Sequence, residues 1–66
     1  MIEKVVYGPV RKDHDDGHEF VLCTELSALR EGADGIARRI ATSRDSYQRA
    51  NPVVRIARFV LREENL

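Results

Sequence analysis

The residues best suited to chemistry lie in one short run, KDHDDGHE, residues 12–19. His14 and His18 stand four apart, with Asp13, Asp15, Asp16 and Glu19 in or beside them. Two imidazole nitrogens and one or two carboxylates would satisfy zinc. The spacing matches no metal signature as specific as a paired CxxC. The same residues have a simpler use, since aspartate and glycine satisfy the backbone of a turn and charged side chains solvate its tip. The run is therefore expected to be a hairpin tip, with His14 and His18 as its only metal candidates, and no cofactor is expected.

Other nucleophiles are poorly placed. Cys23 sits among apolar neighbours without a basic activator, so packing is the expected role. Ser43 and Ser46 have no histidine or acid arranged around them. No glycine-rich phosphate loop occurs, and catalysis is not expected. The arginines carry the stronger functional signal. Nine of the eleven basic residues are arginine, a side chain enriched at interfaces and suited to bidentate contacts. Arg39, Arg55 and Arg58 are the candidates for binding a partner. Tyr7 and Tyr47 are too few and too scattered to form a base-stacking platform.

The formal charge is zero, which argues against a strong nonspecific binder of nucleic acid. It is unevenly spread. Residues 1–29 carry a net charge of −3 and residues 30–66 a net charge of +3. A local basic face is thus compatible with the total, and nucleic acid stays the alternative partner. The single cysteine excludes an internal disulfide framework and fits a reducing compartment. The start, MIEKVVYGPV, has no long apolar run, so neither a signal peptide nor a membrane span is expected. The expectation is a soluble cytoplasmic protein with no membrane partner.

These groups must be positioned by a small set of elements. Sixty-six residues leave room for one domain, residues 1–66. Residues 2–12, rich in β-branched residues, and residues 18–25 read as two strands. Asp15-Asp16-Gly17 between them suits a three-residue hairpin loop. That loop sets Lys12 against Phe20, Val10 against Leu22 and His14 against His18. One face then collects Ile2, Val6, Val10, Phe20, Leu22 and Leu26. In this register the missing N–H of Pro9 points away from the second strand.

Leu29, Ala33, Ile36, Ala37 and Ile40 fall on one stripe of a helix over 27–42, with Ser27 as its N-cap. Arg30, Asp34 and Arg38 sit four apart and can pair. Gly32 and Gly35 are costly in a helix interior. Either the helix starts near Asp34, or something approaches that side closely. Residues 43–51 read as a turn with a short helical piece. Residues 53–62 form the third strand, with Arg55 and Arg58 on opposite faces.

The order β-β-α-β predicts an α+β fold in which one helix packs on one face of a three-stranded, mainly antiparallel sheet, strand order 2-1-3. The expected core is Ile2, Val6, Val10, Phe20, Leu22, Leu29, Ile36 and Ile40. Val5, Tyr7, Val21 and Cys23 are expected on the opposite face. Because one helix cannot cover both faces, that second face predicts a protein partner or a homodimer.

The run YQRANPVVRIARFVLRE, residues 47–63, resembles the ending of small uncharacterised proteins encoded by phages and prophages. The resemblance covers about a quarter of the chain. It implies a cytoplasmic, non-catalytic protein that binds a host macromolecule, as inhibitors of host defence such as anti-CRISPRs do. It assigns no role to any single residue.

Overall fold

A computed structural model describes residues 1–66. The chain forms β1 (Glu3–Lys12), β2 (Glu19–Phe20), a 3-10 turn (Cys23–Glu25), α1 (Arg30–Thr42), α2 (Ser46–Ala50) and β3 (Val53–Arg62). The three strands form one antiparallel sheet in the order β2-β1-β3, as the strand and helix patterns predict. Both helices lie on one side of it. The molecule is a thin slab, 41 × 27 × 15 Å, as expected of one sheet and one helical layer.

The hairpin differs from the sequence reading by one residue. Arg11, not Lys12, pairs with Phe20, and Lys12 pairs with Glu19. Asp13 closes the loop by donating its N–H to the His18 carbonyl at 2.8 Å. The loop is thus His14–Gly17, and Gly17 supplies the one positive φ, 75°. The Asp13 carboxylate accepts the N–H of Asp15 at 2.7 Å, and that of Asp16 accepts the N–H of His18 at 2.8 Å. The acidic residues therefore satisfy the turn's own backbone.

A slip of one residue exchanges faces and ladder edges together. Odd-numbered residues of β1 turn their backbone groups towards β2, as the paired bonds between Tyr7 and Ser27 show, at 2.7 and 2.8 Å. Pro9 is one of them. Its missing N–H falls on the β2 side, where the ladder would otherwise continue. β2 ends after Phe20 for this reason. The chain bows out through the 3-10 turn and rejoins β1 at Ser27. The expected strand over 18–25 is accordingly cut short.

The helices cover the face bearing Tyr7, Pro9, Arg11 and Ile56. Pro9 and Arg11 are the largest fully buried side chains. Ala33 and Ile40 are the buried residues of α1, with Ile36 and Ala37 half-buried beside them. The helix begins three residues later than expected because Ser27 is held by Tyr7 as part of the sheet. Its hydroxyl accepts only the Leu29 N–H, at 3.2 Å. A Cβ on Gly32 would lie 2.2 Å from that hydroxyl, whereas one on Gly35 would meet nothing within 4 Å. Gly32 therefore marks a close approach of Ser27, and the helix does not wait for Asp34. No ion pair joins Asp34 to Arg30 or Arg38; the chain's charge pairs lie elsewhere.

α2 is capped by Asp45, which accepts the N–H groups of Tyr47 and Gln48. Ten-residue strands run about 33 Å, while thirteen helical residues span about 20 Å. The far ends of β1 and β3 consequently project beyond α1. Ile2 there is 69% exposed, and Leu29 at the start of α1 is 66% exposed. Both leave the expected core, and Val6 and Val10 lie on the face opposite Phe20, Leu22, Ile36 and Ile40, so the expected core is divided between the two faces of the sheet. Val6, Val10 and Ile40 are buried, and Phe20, Leu22 and Ile36 are half-buried.

Candidate functional site

Three regions hold the groups that could act: the hairpin tip, the buried polar cluster under α2, and the sheet surface that no helix covers.

At the tip, His14 and His18 do not face each other, because His18 pairs with Asp13. Both are exposed. His18 Nδ1 lies 3.2 Å from Asp16 Oδ2. The Asp16 carboxyl is held below its ordinary pKa, chiefly because it accepts the His18 backbone N–H. No group of three or more histidine, cysteine or acidic side chains is gathered for a metal. Cys23 is exposed in the 3-10 turn rather than packed in a strand.

The polar cluster centres on Arg11, whose side chain is 0% exposed. Its Nε donates to the Asn51 carbonyl at 2.8 Å, and Nη1 donates to Glu25 Oε2 at 3.0 Å. Nη2 donates to the Gln48 side-chain carbonyl. The guanidinium carbon lies 5.2 Å from the centre of the Tyr47 ring, within cation–π range. This one side chain ties β1 to α2, to the loop before β3 and to the 3-10 turn. Glu25 Oε1 is buried without a hydrogen-bond partner. Beside it a shallow cleft of ≈ 350 Å³ is bounded by Thr24, Ile36, Arg39, Ile40, Ser43 and Gln48. Arg39 thus sits at a cleft mouth on the helical layer. A reading that sorts side chains by polarity places Arg11 in solvent and misses the cluster. The only local signal is its odd position, in phase with Tyr7 and Pro9.

The uncovered surface has a different membership from the expected one. Cross-strand partners share a face, so Val6 lies with Phe59, Gly8 with Ala57, Val10 with Arg55 and Lys4 with Leu61. Leu26 and Val21 pack beside Gly8 on the same side. This is the face without a helix. Val5 and Tyr7 lie on the helical side, paired with Val60 and Arg58. Val5, Tyr7, Val21 and Cys23 therefore do not form one surface. Arg55 and Arg58 do lie on opposite faces. On the helix-free face Arg55 holds Glu19 in a bidentate pair, both bonds 2.8 Å. That pair lowers the pKa of Glu19 and raises that of Arg55, chiefly through its side-chain hydrogen bonds.

The apolar residues of this face are Ile2 and Leu61, which are exposed, Val21, Leu26 and Phe59, which are half-buried, and Val6 and Val10, which are buried; Lys4, Lys12, Glu19 and Arg55 frame them. No helix of the chain is long and apolar enough to cross a membrane. No protein-family model, no curated protein and no solved structure matches the chain.

Proposed function

We propose that this chain is a non-catalytic interaction module that binds a macromolecular partner on its helix-free sheet face. The observation that carries the reading is the exposed area. A folded monomer of this mass is expected to expose about 4,200 Å², whereas the chain of 7.5 kDa exposes 5241 Å². The excess, about 1,000 Å² relative to that scaling, is close to one partner's share of a standard interface, about 800 Å². On the helix-free face Ile2 and Leu61 are exposed, and Val21, Leu26 and Phe59 are half-buried.

The resemblance of residues 47–63 to phage-encoded proteins extends the proposal to a cytoplasmic partner in the host. Capture by the immobilised chain, with and without nuclease, tests the reading. A protein partner retained after nuclease and lost with Val21→Glu supports it. A partner indifferent to Val21→Glu contradicts the assignment of the face.

A second reading has its own support. Arg30, Arg38, Arg39, Arg44, Arg49 and Arg58 all make no ion pair, unlike Arg11, Arg55 and Arg62. They lie on the helical side, where they make a basic surface for a small regulator that binds nucleic acid. Its signature is duplex binding that weakens steeply with salt and is lost with Arg39→Glu and Arg58→Glu.

A further inference from the structure

The outer edge of β3 is bare. Odd-numbered residues of β3 turn their backbone groups towards β1, as Glu63 does in donating to the Ile2 carbonyl at 2.9 Å. The N–H and C=O groups of Ile56, Arg58, Val60 and Arg62 therefore point outward, and no other segment bonds to them. A bulge lies only at the start of the strand, between the pairs made by Val10 and Arg11. Beyond it the edge is regular. An unprotected edge of this length is a template for another strand.

We propose that the occupant is β3 of a second copy, paired antiparallel about a two-fold axis at Phe59. This identifies the partner for an edge adjoining the proposed binding face, and it rests on the reading of the chain as an interaction module. The charge pattern favours this register over the two adjacent ones. With Phe59 opposite itself, Arg58 meets Val60 of the second copy and Ile56 meets Arg62. Ala57 meets Leu61, and Arg55 meets Glu63. No arginine opposes another, and an opposite-charge pair is added at each end. Moving the axis to Arg58 sets two guanidinium groups against each other, and moving it to Val60 sets Arg58 against Arg62. Like charges directly opposite are unfavourable.

The chosen register also uses only the regular part of the strand and avoids the bulge. Its hydrogen-bonded pairs fall on Ile56, Arg58, Val60 and Arg62, whose backbone groups are free. The axis passes through a non-hydrogen-bonded pair, where side chains approach most closely, and this places the two Phe59 rings in contact. The product is a continuous antiparallel sheet in the order β2-β1-β3-β3-β1-β2. All helices lie on one side, and the helix-free faces of the two copies join across the seam.

Light scattering on the full chain, with two sets of variants, tests the proposal. Val60→Pro removes an N–H that the monomer does not use, and proline is tolerated at strand edges. The wild type is expected at twice 7.5 kDa and Val60→Pro at the mass of one chain, with an unchanged circular dichroism spectrum. In a Cys23→Ser background, Ala57→Cys and Leu61→Cys are expected to cross-link when mixed and to stay unlinked alone, since facing positions lie about 4.5 Å apart between Cα atoms, within bridging range. If Val60→Pro fails to fold, the cross-linking result decides. A wild type that stays monomeric at millimolar concentration overturns the proposal. So does a folded Val60→Pro that remains dimeric, or cross-linking of either cysteine variant alone. A monomeric chain that still captures a partner through Val21 overturns the self-pairing and leaves the interaction module standing.

Discussion

Replacing Arg11 tests how the fold is held together. Its guanidinium is fully buried and donates to Asn51, Glu25 and Gln48 under the Tyr47 ring. Arg11→Ala leaves the Glu25 carboxylate, 14% exposed, without its only charge partner. Removing one member of a buried pair costs about 3–5 kcal/mol. A chain of 66 residues has a total stability of roughly 3–10 kcal/mol, so the variant should be largely or wholly unfolded. Exposed pairs contribute at most about 1 kcal/mol, and burial is what separates the two cases. The assay is urea denaturation followed by circular dichroism. The double variant Arg11→Met with Glu25→Leu removes both charges and should regain at least half of the loss, because an apolar pair of similar volume substitutes well for a buried ion pair. A loss below about 1 kcal/mol for Arg11→Ala, the range of a solvated pair, would refute the reasoning. A double variant no more stable than the single one would refute it equally.

The remaining expectations concern the helix, the hairpin and its tip. Gly35→Ala should stabilise the chain by about 0.5–1 kcal/mol, as in an open helix interior, whereas Gly32→Ala should destabilise it, because the new methyl group would overlap Ser27; thermal melts of the two variants should shift in opposite directions. Glu19 and Asp16 have folded pKa values below their ordinary ones, so the native state binds fewer protons than the unfolded state. Their contribution is present above the ordinary carboxyl range and is lost as pH falls through the folded values, so acid titration of stability should be shallower for Glu19→Gln. Zinc followed by calorimetry at neutral pH should show no tight site, and His14→Ala should leave the isotherm unchanged; a submicromolar site lost with His14→Ala and His18→Ala would contradict the account of the tip.

The strand and helix patterns carried the element order and the 2-1-3 sheet, and the bounds of β3 were readable from its β-branched run after Asn51-Pro52. The faces were not readable. β1 bears apolar residues at both parities, Val6 and Val10 on one side and Val5, Tyr7 and Pro9 on the other, so alternation does not say which side meets the helix. Sorting the hairpin by polarity then favoured a three-residue loop, because that loop puts Arg11 outward and pairs Val10 with Leu22. The actual loop puts Arg11 inward, and the compensation comes from Glu25, Gln48 and Asn51, which are distant in sequence. Pro9 held the missing information. Its lost donor falls on whichever side odd residues face, and the early end of β2 follows from that parity. Of the candidate partner-binding residues, Val21 and Arg55 lie on the helix-free face, Arg39 and Arg58 on the helical side, and Val5 and Tyr7 beneath or beside α1.

Chemical-shift mapping on labelled chain shows which face meets a partner. Spectra would be recorded across a dilution series and again with any captured partner. Changes are expected to concentrate on Val6, Val10, Val21, Ala57, Phe59 and Leu61, together with the outward amides of Arg58 and Val60. Changes confined to Arg38, Arg39, Arg44 and Arg49, with the helix-free face unaffected, would contradict the assignment of that face.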